Sequence, residues 1–201
     1  MFTLIASIIQ KGGVLGVFFL MLAENLLPFI PSELIMPLAG FEAARGAMGL
    51  WWALAGGAAG SVLGGWAWYE IGRKLGLARV MRWADAGGRW VAVSSAELKR
   101  GDLWFRRWGA AAVFIGRTLP GVRGVICLPA GVAKMPRGAF LFWSTMGAGL
   151  WTVVLVFAGY QLKTHYSDVV GWVDPVTDGF VVLCLIVYGV RVVRYAAPPP
   201  P

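Results

Sequence analysis

Two apolar stretches of this chain are long enough to enter a membrane, yet both are broken by proline and both carry charge. Residues 13–41 hold Glu24 and Glu33, with Pro28 and Pro31 between them and Pro37 beyond. Residues 110–133 hold Arg117 and Arg123 around Pro120 and Gly121, followed by Pro129. Proline lacks a backbone N–H and its ring clashes with the carbonyl one turn earlier, so it interrupts a helix. In hydrocarbon the freed backbone groups must be met by protein or by water in a cavity. Two half-helices joined by a turn, entering and leaving on one side, meet that demand. Re-entrant hairpins are therefore expected over 13–41 and 110–136.

The remaining apolar runs read as ordinary spans. Residues 51–69 carry no charge, and at about 1.5 Å rise per residue they reach roughly 28 Å, close to the hydrocarbon thickness. Gly56, Gly57, Gly60, Gly64 and Gly65 in this run allow another helix to approach closely in lipid. Transmembrane helices are expected over 51–70, 139–162 and 176–193. A chain that is 58% hydrophobic and 14% charged, with mean hydropathy +0.69, is too apolar for a soluble domain. Its 11 tryptophans suit repeated crossings of the membrane interface.

Half of the 18 lysines and arginines fall in residues 73–108, with Trp83, Trp90, Trp104 and Trp108 among them. That mixture is expected of amphipathic helices in the interface, and Ser94 with Glu97 fits a capping box that starts one of them. A soluble basic helical loop is the plain alternative. Short basic loops stay in the cytoplasm, so the 73–108 linker is read as cytoplasmic, residues 163–178 as outside and the C-terminus as cytoplasmic. The net charge of +8 comes without a nucleic-acid recognition motif, and no nucleic-acid partner is expected. The N-terminal run, with Lys11, Glu24, Pro28 and Pro31, makes a poor cleavable signal and is expected to stay in the protein. Cys127 and Cys184 lack metal-ligand spacing and are read as packing residues, with no metal and no cofactor.

The expected fold is thus all-α, one integral membrane domain over 1–201. Repeat 1 covers 12–70 and repeat 2 covers 110–162; each is a re-entrant helical hairpin followed by a transmembrane helix. The basic linker joins them and a final transmembrane helix follows. The repeats run in opposite directions, an inverted repeat of the kind that places a substrate site near the bilayer midplane.

Ionisable groups within membrane segments are costly and usually face a cavity or each other. Glu24 and Glu33 lie in one broken segment, Arg117 and Arg123 in the other, so their meeting at the centre lowers that cost. A purely structural ion-pair lock is one reading. The other is an anion site: two guanidinium forks flank the 119–121 turn and match phosphate oxygens, while a buried glutamate can exchange a proton as the anion binds or leaves.

The strings ENLLPFIPSELIMPLAG (24–40) and GRTLPGVRGVICLPAGVAKM (116–135), with YEIGRKLG (69–76) between them, resemble the signature regions of the DedA family. That family belongs to the VTT-domain, SNARE-associated Golgi protein-like superfamily, which includes eukaryotic scramblases. The resemblance extends over roughly residues 12–162. It implies two opposed re-entrant hairpins and lipid movement across the bacterial cytoplasmic membrane, with undecaprenyl phosphate as first substrate and protons or membrane potential as coupling. By motif, Arg117, Arg123 and Gly121 would bind the lipid phosphate, and Glu24 and Glu33 would be the proton-coupling acids. Where many members carry an aspartate this chain has Gly65, with an additional acid at Glu70. Glu70 and Arg73 either join the site or anchor the helix end.

Other readings keep the fold and change the cargo: a phosphatidylethanolamine scramblase, or a proton-coupled small-solute transporter. An embedded lipid-phosphate phosphatase is disfavoured, because the single histidine, His165, lies in the expected outer loop and no nucleophile and base occur together. No catalytic residue is assigned. Partners are expected to be the lipid phosphate, membrane phospholipids and protons, and a homo-oligomer is compatible with the pattern.

Overall fold

The structure is a computed structural model that describes residues 2–26, 32–87, 95–119, 123–124, 126–161 and 190. Apart from Val190, the expected last helix over 176–193 lies outside the described residues, as do Pro28, Pro31, Ser94, Pro120, Gly121, His165 and Cys184. The side chains of Trp83, Trp90 and Trp104 lie outside them too. All described secondary structure is helical: α1 (Phe2–Leu26), α2 (Ser32–Ala44), α3 (Leu50–Gly87), α4 (Ser95–Thr118), α5 (Cys127–Val132) and α6 (Arg137–Gln161).

Three of these helices bend at a glycine with positive φ. Gly13 in α1 has φ 53° and ψ −132°, Gly109 in α4 has φ 45° and ψ −115°, and Gly76 in α3 has φ 68° and ψ 167°. Any other residue there would be strained by about 1–3 kcal/mol. Gly13 divides α1 into arms 2–12 and 14–26, and Gly109 divides α4 into arms 95–108 and 110–118. The arms of α1 lie against each other, since a Cβ on Gly16 would overlap the Ile8 carbonyl.

Glycine also sets how the helices meet. Gly56, Gly60 and Gly64 of α3 rest in turn on Val14, Phe18 and Leu22–Asn25 of the second α1 arm. Both segments therefore run in the same direction. In α6, Gly147 rests on Phe114 and Arg117 of the second α4 arm. Two reciprocal contacts complete the packing. Gly40 of α2 faces the Val156 carbonyl while Gly159 of α6 faces that of Pro37, and Gly131 of α5 faces the Tyr69 carbonyl while Gly72 of α3 faces that of Leu128. At each position a side chain would collide with backbone. Close backbone approach of this kind gives van der Waals contact where lipid supplies no hydrophobic drive.

Side chains fill two cores around these crossings. One gathers Ile5, Ile9, Val17, Met21, Ile35 and Met36, and the other Tyr69, Phe105, Val113, Cys127 and Phe140. In the second, Tyr69 stacks on Phe140 with centroids 4.2 Å apart.

The outside is apolar as well. Thr3–Leu26 and Arg137–Gln161 are helices long and apolar enough to cross a membrane, although Gly13 makes the first two arms rather than one rod. Along α6, Phe142, Met146, Leu150, Val154 and Phe157 are exposed, and Trp51 and Trp52 at the start of α3 are 75% and 70% exposed. A contiguous apolar surface of this sort marks contact with a partner or a bilayer.

Candidate functional site between the broken segments

The second arm of α1 ends at Glu24, Asn25 and Leu26, and that of α4 ends at Arg117 and Thr118. These two ends meet, because α3 carries the first and α6 the second. Between them Glu24, Asn25, Ser61, Arg117 and Arg123 form one hydrogen-bonded ring. Arg117 is completely buried. Its Nη1 donates to Asn25 Oδ1 at 2.8 Å and to the Arg123 carbonyl at 3.1 Å. Its Nη2 donates to the Ser61 carbonyl at 2.8 Å and to Ser61 Oγ at 3.1 Å. Nε, also buried, has no partner among the described residues.

Arg123, in the turn after α4, is paired with Glu24: Nη2 contacts Oε1, and Nε donates to the same oxygen at 3.2 Å. Both side chains are nearly buried, at 6% and 11% exposure. Asn25 closes the ring. Its Nδ2 donates to Glu24 Oε2 at 2.8 Å, to Ser61 Oγ at 3.2 Å and to the Met21 carbonyl at 3.1 Å, while its backbone carbonyl accepts from Trp68 Nε1 at 2.9 Å. Cys127 Sγ sits 3.8 Å from Arg117 Nη1.

Charge is unbalanced within this ring. Among the described residues two guanidinium groups stand beside one carboxylate, which Arg123 takes, and the direct partners of Arg117 are all neutral. A buried cation held this way costs several kcal/mol unless an anion lies close. The arrangement is thus chemically suited to accept a further negative group.

The residues singled out from sequence are distributed as follows. Glu24, Arg117 and Arg123 share the ring. Glu33, in the first turn of α2, is exposed. Gly121 lies outside the described residues. Glu70 and Arg73 belong to another cluster, where α3 meets the α5–α6 turn: Arg137 Nε and Nη2 donate to Glu70 Oε1 and Oε2 at 2.8 and 3.2 Å, and Arg73 Nη1 donates to Tyr69 Oη and the Met135 carbonyl, each at 2.9 Å. Asn25 and Ser61 join the ring without being among the residues expected from sequence. The one signal for Asn25 is its place beside Glu24 in an otherwise apolar run, and Ser61 sits among the α3 glycines without any mark. Gly65 faces the site: a Cβ there would lie 3.0 Å from both Arg117 Nη1 and Cys127 Sγ. A side chain at position 65 would therefore point at the uncompensated guanidinium.

The VTT domain, as a family, matches residues 30–161 of this chain. The chain belongs to the VTT-domain (DedA) family. This VTT-domain protein is 32% identical over 164 residues to the undecaprenyl phosphate transporter A of Staphylococcus aureus, covering 82% of the chain and 81% of the relative. The transporter of the same name from Bacillus subtilis is 28% identical, with 81% and 80% covered. A Lactococcus lactis protein named alkaline phosphatase-like is 31% identical over 92% of the chain and 87% of its own length. No solved structure matches.

Proposed function

We propose that this VTT-domain protein is a transporter, not an enzyme, that moves a lipid phosphate, most simply undecaprenyl phosphate, across the bacterial cytoplasmic membrane. The observation that carries this reading is the ring itself, a buried Glu24–Arg123 pair beside a buried Arg117 that has no carboxylate of its own among the described residues. Relatives named as undecaprenyl phosphate transporters support the cargo.

In this reading the two arginines divide the work. Arg123, held by a single carboxylate, exchanges Glu24 for the phosphate in a charge-assisted contact. Arg117, with both Nη atoms committed, fixes the turn through the Arg123 carbonyl and offers Nε to the anion. Glu24, once displaced, accepts a proton, and Glu33 at the exposed start of α2 exchanges protons with the surroundings. The 119–121 turn, Gly121 included, supplies backbone donors. Release reverses the exchange, coupled to protons or membrane potential.

The frame for this motion is an inverted repeat of two re-entrant hairpins. Its support is the pairing of equivalent features: Gly13 with Gly109 at nearly the same φ and ψ, Phe18 on Gly60 with Phe114 on Gly147, and the reciprocal glycine contacts of α2 with α6 and of α5 with α3. Each hairpin then rests on the long helix of both repeats, and rocking one repeat against the other would open the ring to alternate sides.

The test is binding of a short-chain polyprenyl phosphate to the purified protein, followed by native mass spectrometry. Wild type should retain the lipid phosphate and not the matching alcohol, and Arg123→Ala should lose it. Equal retention by Arg123→Ala would remove Arg123 from the site.

A further inference from the structure

The ring leaves one donor of Arg117 unused, and a second unused polar atom stands level with it on α6. Ser144 is completely buried, and among the described residues its Oγ has no hydrogen-bond partner, just as Arg117 Nε has none. We propose that a small inorganic anion of halide size binds between Arg117 Nε and Ser144 Oγ.

Packing contacts place the two atoms at the same gap. Where α3 faces α6, Tyr69 stacks on Phe140, and a Cβ on Gly57 would lie 3.5 Å from Thr152 Cγ2. The helices therefore run antiparallel there, and four-residue steps set Ser61 level with Ala148 and Gly65 level with Ser144. Arg117 bridges this level. A Cβ on Gly147 would lie 2.7 Å from its Cβ, and one on Gly65 would lie 3.0 Å from its Nη1. The side chain thus runs from α6 to α3 with Nε midway. Gly65, Gly147 and Ala148 bring little bulk to the space around it.

The donor set selects an anion over water or a cation. A serine inside a helix commonly donates to the carbonyl one turn back, and Ser144 does not. Both free atoms can donate. The acceptors at hand, Asn25 Oδ1, Ser61 Oγ and the Ser61 and Arg123 carbonyls, already accept from the Nη atoms of Arg117. An occupant that only accepts satisfies both atoms, whereas water also needs acceptors for its own protons. Charge points the same way, because the direct partners of Arg117 are neutral and a buried guanidinium without a counter-charge is costly. A spherical monoanion takes two converging donors without a fixed bond geometry. On the reading of the ring as the lipid-phosphate site, on which this consequence rests, the arriving phosphate takes the Nε donor and displaces the small anion. Halide is then a competitor of the cargo.

The experiment follows the thermal midpoint of the full chain in detergent at constant ionic strength, as sodium bromide replaces sodium gluconate. An ion that binds only the folded state raises the midpoint once its concentration passes Kd. Wild type and Ser144→Thr, which keeps the hydroxyl, should show that rise, and in Ser144→Ala its onset should move to about tenfold higher bromide or more. Crystals grown in bromide should show anomalous scattering beside Ser144 in wild type and lose it in Ser144→Ala. The same bromide response in wild type and Ser144→Ala, or none in either, overturns the proposal. Competition separates it from the cargo reading, since a short-chain polyprenyl phosphate should abolish the bromide dependence. Retention of lipid phosphate without any bromide dependence sinks the small-anion site and leaves the cargo reading standing. Ser144-dependent bromide binding that survives saturating lipid phosphate supports the site and contradicts a shared position in the ring.

Discussion

Replacing Asn25 by leucine tests whether the ring is energetically real. The two side chains are close in size, so the change chiefly removes polar contacts. Lost are the Nδ2 bond to the Glu24 carboxylate and the bond from Arg117 Nη1, at 2.8 Å each, with the weaker contact to Ser61. Hydrogen bonds to charged groups contribute about 1.5–3 kcal/mol each, so two of them give a loss of roughly 3–6 kcal/mol. Both partners are buried and cannot turn to water, which places the effect towards the upper end. The assay is equilibrium unfolding in mixed micelles with increasing SDS, read by tryptophan fluorescence, with Ser61→Ala as a second point expected to lose less. A loss under about 0.5 kcal/mol for Asn25→Leu, within ordinary surface variation, would refute the claim that Asn25 joins the acid to the arginine.

Other outcomes follow from the same geometry. Asn25→Asp keeps an acceptor for Arg117 but supplies the missing negative charge; the protein should remain folded by size-exclusion chromatography and lose retention of lipid phosphate. Gly60→Leu drives a side chain into the Phe18 carbonyl and should lower stability by about 1–3 kcal/mol or more, whereas Gly149→Leu, with nothing within 4 Å, should leave the unfolding midpoint unchanged. Gly13→Ala and Gly109→Ala should each cost about 1–3 kcal/mol through backbone strain alone, and similar losses at both are expected if the two bends are equivalent. Glu70→Gln breaks an exposed ion pair with Arg137 and should alter stability little, measured as thermal midpoint at low and high salt.

Much of the helical layout could be read from charge and proline. The uncharged run 51–69 lies inside α3, and 139–162 overlies α6 within two or so residues, because a long apolar stretch without a breaker has few alternatives to helix. α1 ends at Leu26, two residues before Pro28 in sequence, as a residue that cannot continue a helix leads one to expect. Glu24, Arg117 and Arg123 were identifiable because isolated charges in apolar runs are costly and seek each other. Less was visible wherever the determinant was neutral or small. Asn25 and Ser61 carry no charge, so nothing in the sequence distinguishes a polar residue that bridges ionic groups from one that merely tolerates lipid. Gly13 and Gly109 are two among 28 glycines, and only backbone geometry separates a bend from a packing position. Glu33 shares the motif logic of Glu24, yet its place in the first turn of α2 leaves it exposed. An acid at position 42, near the end of an apolar run, reads as an interfacial charge, yet Glu42 is buried and accepts a hydrogen bond from Gln10.

The most direct measurement is movement of undecaprenyl phosphate in proteoliposomes containing the purified protein, comparing wild type with Arg123→Ala, Glu24→Gln and Glu33→Gln. The account predicts transport by wild type and loss in all three variants, each still folded. Undiminished transport by Arg123→Ala, or none by wild type while amine-containing phospholipids do cross, would contradict it.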